Sequence, residues 1–214
     1  MTRPTLIVFA RVPAIGIGKT RLAADIGRVE AWRVYRALSH KVLKQVRDPR
    51  WKTVVRLAGR GAPSHWPAGL GFEDQGRGGL GHRLQAALRT HAAGPVMIIG
   101  TDCPDATAGQ IAKALKVLPR HGAVLGPALD GGFWLIALSA RRCRKVRLDR
   151  GIRWSSAQTL TDTQAALGHA CAKIVSLADI DTGRDLKAWA ARKISTGKPS
   201  YRGAHADFPQ ISAK

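Results

Sequence analysis

Acidic residues are scarce in this chain: 14 Asp and Glu stand against 35 Lys and Arg in 214 residues, a formal charge of +21. Long apolar runs are missing as well. No stretch approaches the roughly 20 residues of a membrane span. The run Thr5-Leu6-Ile7-Val8-Phe9-Ala10 meets Arg11 too soon for a signal-peptide core. The cysteines, Cys103, Cys143 and Cys171, are odd in number and show no CxxC spacing. That pattern supplies no disulfide framework and makes a reducing, cytoplasmic compartment the expectation. Zinc-finger, helix-turn-helix and RNA-recognition signatures are absent too, so the basic excess has no nucleic-acid module to deliver it. Charge alone still admits a nucleic-acid-binding protein as the alternative reading. Its best local support is residues 141–150, where six of ten are basic, a run that reads as a solvated loop.

A hydrophobic fraction of 45% is enough for a core, and the length suits one domain. Residues 6–10 are continuously apolar, as in a strand buried on both faces of a parallel sheet. Further strands are expected at 52–58, 96–99, 123–125 and 133–138. Helical spacing covers 19–45, with a break at Gly27, and then 80–93, 107–118, 155–168 and 184–193. Gly and Pro mark 59–71 as a loop. Strands alternating with helices predict a layered α/β domain with a largely parallel sheet. The domain is expected over residues 1–194, followed by a basic C-terminal tail at 195–214. No internal repeat is visible.

Gly16-Ile17-Gly18-Lys19-Thr20 follows the first strand and looks like a P-loop. Pro13 stands where the first glycine of that motif belongs, and proline offers no N–H to a phosphate. Two readings remain: an ordinary glycine-rich turn, or a phosphate loop of another kind. The scarce acids are placed more tellingly. Asp102 and Asp105, then Asp130, then Asp179, Asp181 and Asp185 put six of the 14 acids in three short segments. Open α/β sheets bind ligands beyond the carboxyl ends of their strands, where Asp102 would lie. With a second carboxylate from a distant segment it could hold Mg²⁺ or Mn²⁺ against phosphate oxygens. Asp105 reads equally as a turn residue and Asp185 as a helix-start acid. Asp130, before Gly131-Gly132, could simply shape a turn.

Taken in order, the motifs resemble a known family. Phe9-Ala10-Arg11-Val12-Pro13 with Gly16 and Lys19-Thr20-Arg21-Leu22 opens the series. Ile99-Gly100-Thr101-Asp102-Cys103-Pro104-Asp105, Leu125-Gly126-Pro127-Ala128 with Asp130-Gly131-Gly132, Trp154-Ser155, and Asp179-Ile180-Asp181-Thr182 with Asp185-Leu186 follow. This series is similar to that of the radical-SAM/selenodomain-associated transferases, which resemble 2-phospholactate guanylyltransferases and molybdenum-cofactor nucleotidyltransferases. The resemblance spans residues 5–190. It implies a single three-layer α/β sandwich with a mostly parallel mixed sheet, the A-type glycosyltransferase fold.

By the same resemblance, the loop bearing Gly16 and Gly18 would wrap nucleotide phosphates, with Lys19 facing them as a catalytic residue beside Asp102. Asp102 and Asp181 would hold the metal, Mg²⁺ or Mn²⁺. Arg11, Lys19 and Arg21 would complete an anion site. Gln75, Asp130, Gly131 and Gly132 would also serve nucleotide or substrate binding. The implied activity is a Mg²⁺-dependent transferase, nucleotidyl or glycosyl, acting from a nucleoside triphosphate or nucleotide-sugar on a small-molecule acceptor. A nucleotide-binding member without turnover is a further alternative. The family's second signature, Gly-Asp-Leu-Gly-Glu-Arg after a Gln, departs here. Gly79 replaces its Asp and His82 its Glu. Substrate choice could differ accordingly, and His82 itself reads as a surface residue.

Overall fold

The computed structural model describes residues 2–61, 63, 65–168 and 170–195. Among them, seven strands form one sheet: β1 (Thr5–Arg11), β2 (Lys52–Ala58), β3 (Gly71–Asp74), β4 (Val96–Ile99), β5 (Ala123–Pro127), β6 (Phe133–Leu138) and β7 (Ala172–Lys173). Their spatial order is β3-β2-β1-β4-β6-β5-β7. β6 runs antiparallel to β4 and β5, and the other neighbours pair in parallel. The helices are α1 (Thr20–Ile26), α2 (Arg28–Gln45), α3 (Leu80–Thr90), α4 (Ala108–His121), α5 (Ala140–Lys145), α6 (Thr159–Leu167) and α7 (Gly183–Ser195).

Side chains on a strand alternate between faces, so a strand covered by helices on both sides must be apolar throughout. Leu6, Val8 and Ala10 of β1, with Met97 and Ile99 of β4, meet α2 through Val42 and Leu43 and α4 through Ile111, Ala114 and Leu118. Ile7, Val96 and Ile98 point the other way, toward Leu84, Ala87 and Leu88 of α3, Cys143 of α5 and Leu167 of α6. The result is a three-layer sandwich with a mixed, mostly parallel sheet. Leu22, Val34, Leu38, Ile180 and Leu186 form a smaller cluster that ties α1 and α2 to α7.

Gly27 separates α1 from α2 with φ +85, a left-handed value that glycine adopts without steric cost. Thr107 and Gln110 form a reciprocal capping box at the start of α4.

Three local expectations change. Residues 141–145 lie in α5 rather than in a solvated loop, because Cys143 is drawn into the core. Three of that run's arginines have intramolecular partners: Arg142 donates to the Leu167 carbonyl, Arg144 to the Ala92 carbonyl, and Arg147 pairs with Asp149. The helix expected from 155 starts at Thr159, since Ser155 takes φ +57 and its neighbours form turns. β3 and β7 went unforeseen because one is a four-residue, mainly exposed strand and the other only two residues long. The expected tail, beyond Ser195, lies outside the described residues. Among the described residues no helix is long and apolar enough to cross a membrane.

Candidate active site at the strand switch point

β1 has β2 on one side and β4 on the other, so the chain reverses its direction of strand addition between β1 and β4. In open α/β sheets such a reversal leaves a crevice at the carboxyl ends of the strands. The segments leaving β1 and β4 carry the two most suggestive motifs of the sequence, and both open onto this crevice.

After β1 the chain makes a tight loop, with Ala14 bridged to Ile17, Gly16 at φ +79 and Gly18 at φ +74. Lys19 ends it at φ +48, a left-handed conformation that costs an L-residue about 1 kcal/mol. The loop turns the Lys19 ammonium inward. Its Nζ lies 2.6 Å from the Asp102 carboxylate and 2.9 Å from Asp181 Oδ1, and it donates to the Ile180 carbonyl at 2.5 Å. The Lys19 side chain is 8% exposed, against 50% for Asp102. Burial alone would lower the Lys19 pKa, but the two carboxylates outweigh it and raise the value, so the charge is kept.

Asp181 is held from several sides. Its Oδ2 is 3.0 Å from Arg21, and its backbone N–H donates to Asp185. Asp185 also accepts from the Thr182 N–H and hydroxyl, so it organises the start of α7. Asp105 is likewise structural, bound to Trp189 and Lys193 of α7.

The cleft has two lobes. The first, a cavity of about 390 Å³, gathers Arg11, Gly18, Lys19, Arg21, Gln75, Asp102 and Asp181. Tyr35, Arg83 and Thr101 line it as well. Gln75 is buried and braces this lobe: its amide donates to the carbonyls of Ala10 and Arg56, and its oxygen accepts from Arg83. The second lobe, about 480 Å³, shares Phe9, Arg21, Leu80, Asp102 and Asp181 with the first. Asp130, Gly132, Asp179, Phe133 and Trp154 extend it, with the Phe133 and Trp154 rings edge to face at 6.2 Å. Burial and the charge of Asp130 push the Asp179 carboxyl up to about 6.

Two expected residues are placed elsewhere. Gly16 faces a neighbouring hollow beside Arg28 and Trp32, behind the loop. Gly131 packs against Ala157, where a Cβ would come within 2.4 Å of a carbonyl oxygen, and accepts a bond from the Leu160 N–H. Asp130 does both jobs weighed for it: it accepts from the Gly132 N–H, shaping the turn, and it lines the second lobe. Gly79 caps α3 without a side-chain bond, and His82 is exposed.

The sequence did not single out Tyr35, Arg83 or Thr101. Tyr35 lies in the buried stripe of α2, where periodicity marks it as core. Its hydroxyl accepts from the Arg11 N–H and donates to the Arg11 carbonyl, fixing the end of β1. Arg83 stands at the closing Arg of the family's second signature, and its bond to Gln75 is what ties it to this lobe.

No curated protein matches the sequence. Solved structures do. A protein from Desulfovibrio desulfuricans G20 described as a nucleotide-diphospho-sugar transferase superposes with a TM-score of 0.82 at 26% identity, over 92% of this chain and 90% of its own. A cytidylyltransferase from Leptospira borgpetersenii serovar Hardjo-bovis gives 0.59 at 11% identity, over 91% and 88%. A CMP:2-keto-3-deoxy-manno-octonic acid synthetase complexed with CTP gives 0.53 at 12% identity, over 91% and 100%. The fold is that of the nucleotide-diphospho-sugar transferases, the A-type glycosyltransferase fold. A family model matches residues 41–156, more than half of the sequence, and the chain therefore belongs to the family described as an uncharacterized protein conserved in bacteria (DUF2064).

Proposed function

We propose that the chain is a transferase acting on nucleotide phosphates, with nucleotidyl transfer to a small-molecule acceptor as its primary reaction. One observation carries this reading: Arg11, Lys19, Arg21 and Arg83 surround a single cavity at the strand switch point, directly against a half-exposed Asp102. Four cations in one concave site suit a polyphosphate. The likeness to transferases whose names include nucleotide-sugar and cytidylyl transfer supports it, as does the motif series shared with radical-SAM/selenodomain-associated transferases.

In this reading the triphosphate lies in the first lobe and the acceptor enters through the second. An acceptor oxygen attacks the α-phosphorus, the bond to the β-phosphate oxygen breaks, and pyrophosphate leaves. Lys19, Arg11 and Arg21 neutralise the charge that builds on the departing pyrophosphate. Tyr35 holds the Arg11 backbone at the end of β1, and Gln75 holds the Arg83 side chain in place. Phe133 and Trp154 offer the acceptor an apolar wall.

The donor set fits Mg²⁺ or Mn²⁺, since Asp102 and Asp181 already converge on one cation, the Lys19 ammonium. Asp102 and Asp181 would hold the metal, which when bound offsets phosphate charge. The buried free thiols of Cys103, Cys143 and Cys171 accord with a reducing, cytoplasmic setting.

Glycosyl transfer is the second reading, favoured by the 26% identity to the nucleotide-diphospho-sugar transferase. The same lobe would then hold a nucleoside diphosphate, and the acceptor would attack the sugar carbon. Incubation with each NTP and with UDP- and GDP-sugars, in the presence of Mg²⁺ and an acceptor panel, separates the two. Pyrophosphate release is expected. Release of nucleoside diphosphate would establish the glycosyl reading, and failure of both nucleotide classes to bind would overturn the transferase.

A further inference from the structure

Asp102 and Asp181 are far apart in the sequence and meet at a point charge that the protein itself supplies. Lys19 Nζ has three oxygen partners, at 2.5, 2.6 and 2.9 Å, in Ile180, Asp102 and Asp181. An ammonium has three N–H donors, so this one is saturated. The second oxygen of Asp181 is taken by Arg21 at 3.0 Å. We propose that Lys19 competes with the divalent cation for this carboxylate pair, so that the metal enters with the nucleotide phosphates and not before them.

The argument is one of charge and space. A dication at the two carboxylates would stand beside a buried ammonium that shares the same oxygens, and like charges repel most strongly out of bulk water. Lys19 can leave only if something else accepts its three hydrogen bonds, because an unpaired buried ammonium is costly. Phosphate oxygens in the first lobe are the acceptors at hand, since Lys19 lines that cavity together with Arg11 and Arg21. Once Lys19 turns to phosphate, Asp102 and Asp181 become available, and the bound phosphates contribute further oxygen ligands. Lys19 thus acts as a resident counter-ion that holds the carboxylates together and keeps free metal out. The inference rests on the reading of the first lobe as a phosphate site, but its core, the competition, concerns the metal alone.

The test follows free Mn²⁺ by its electron paramagnetic resonance signal during titration of the protein. The full-length protein alone is expected to bind Mn²⁺ weakly. Lys19→Met, and the more polar Lys19→Gln should the first variant melt too low, are expected to bind at least roughly tenfold tighter in the absence of any nucleotide. Adding Asp102→Asn to either variant should abolish that gain, which places the Mn²⁺ at this pair. Equal Mn²⁺ affinity of the native protein and both Lys19 variants overturns the competition. Tripolyphosphate is expected to tighten Mn²⁺ binding to the native protein beyond what tripolyphosphate binds by itself. If the Lys19 variants gain Mn²⁺ affinity and tripolyphosphate does nothing, the competition stands and the phosphate reading of the lobe falls.

Discussion

Lys19 Nζ and the Asp102 carboxylate lie 2.6 Å apart, joining the loop that leaves β1 to the one that leaves β4 across the switch point. Asp102→Asn keeps the shape of the side chain and removes its charge. Turnover is expected to fall on the order of 100-fold, as when one preorganised electrostatic group is lost. Mg²⁺-dependent nucleotide stabilisation should vanish from thermal-shift curves while the circular dichroism spectrum stays the same. An undiminished Mg²⁺-dependent shift would remove Asp102 from the site.

Tyr35 is expected to act through Arg11. Tyr35→Phe leaves the Arg11 N–H and carbonyl without their side-chain partner, at a cost of about 1–3 kcal/mol in stability. Because Arg11 lines the first lobe, nucleotide affinity should also weaken several-fold in calorimetric titration. A stability loss with unchanged affinity would confine Tyr35 to a structural role.

Gln75 and Arg83 should behave as one unit, because the Gln75 oxygen accepts from Arg83 at 2.8 Å. In a double-mutant cycle of Gln75→Ala and Arg83→Ala, the losses in triphosphate affinity are expected to be non-additive by about 0.5–3 kcal/mol. Strict additivity would show that Arg83 is aimed independently of Gln75.

Glu73 provides a pH test away from the cleft. Its carboxylate accepts from Arg56 at 2.9 Å and lies 3.1 Å from His91. Burial acts to raise the Glu73 pKa, but His91 and Arg56 together outweigh it and hold the group below its ordinary value. A depressed carboxyl pKa contributes stability above the unfolded value, and that contribution is lost as pH falls through the folded one. Glu73→Gln should therefore lower the Tm by about 2–4 °C at pH 7, the shift expected from ~1 kcal/mol for a partly exposed ion pair. The gap should close as the pH falls below the ordinary glutamate range and through the lowered folded-state value. A gap that persists in acid would locate the effect in packing instead.

Gly81 is a contact point between α3 and the wall of the second lobe. A Cβ there would fall 2.0 Å from the Leu148 carbonyl oxygen and 2.6 Å from Trp154 Nε1. Gly81→Ala is expected to cost about 1–3 kcal/mol by urea denaturation and to shift Trp fluorescence as Trp154 moves. Gly71→Ala, where a Cβ meets nothing within 4 Å, is the control and should leave both readouts near the native values.

The central strands were legible because burial on both faces demands continuous apolar residues, as in residues 6–10 and 96–99. The break at Gly27 was legible because its backbone conformation suits glycine. Asp102 stood out through its place after a strand, and Lys19 through the glycines before it. Tyr35 escaped notice because a buried tyrosine on a helical stripe looks like any core residue until its hydroxyl partner is known. Arg142 and Arg144 looked like solvated surface for the complementary reason: their partners, the Leu167 and Ala92 carbonyls, are brought to them by packing.

The scarcity of acid and the local patterns of apolar residues and glycines were enough to define a layered α/β chain with a few carboxylates in strand-end loops. Local sequence could not say that Asp102 and Asp181 meet, nor that Lys19 stands between them. That arrangement depends on β4 pairing with β1 and on α7 packing against α1 and α2 through Leu186, Leu22 and Leu38. Contacts between segments so far apart are set by the sheet order and the shared core, which bring Lys19 and its two carboxylates to one crevice.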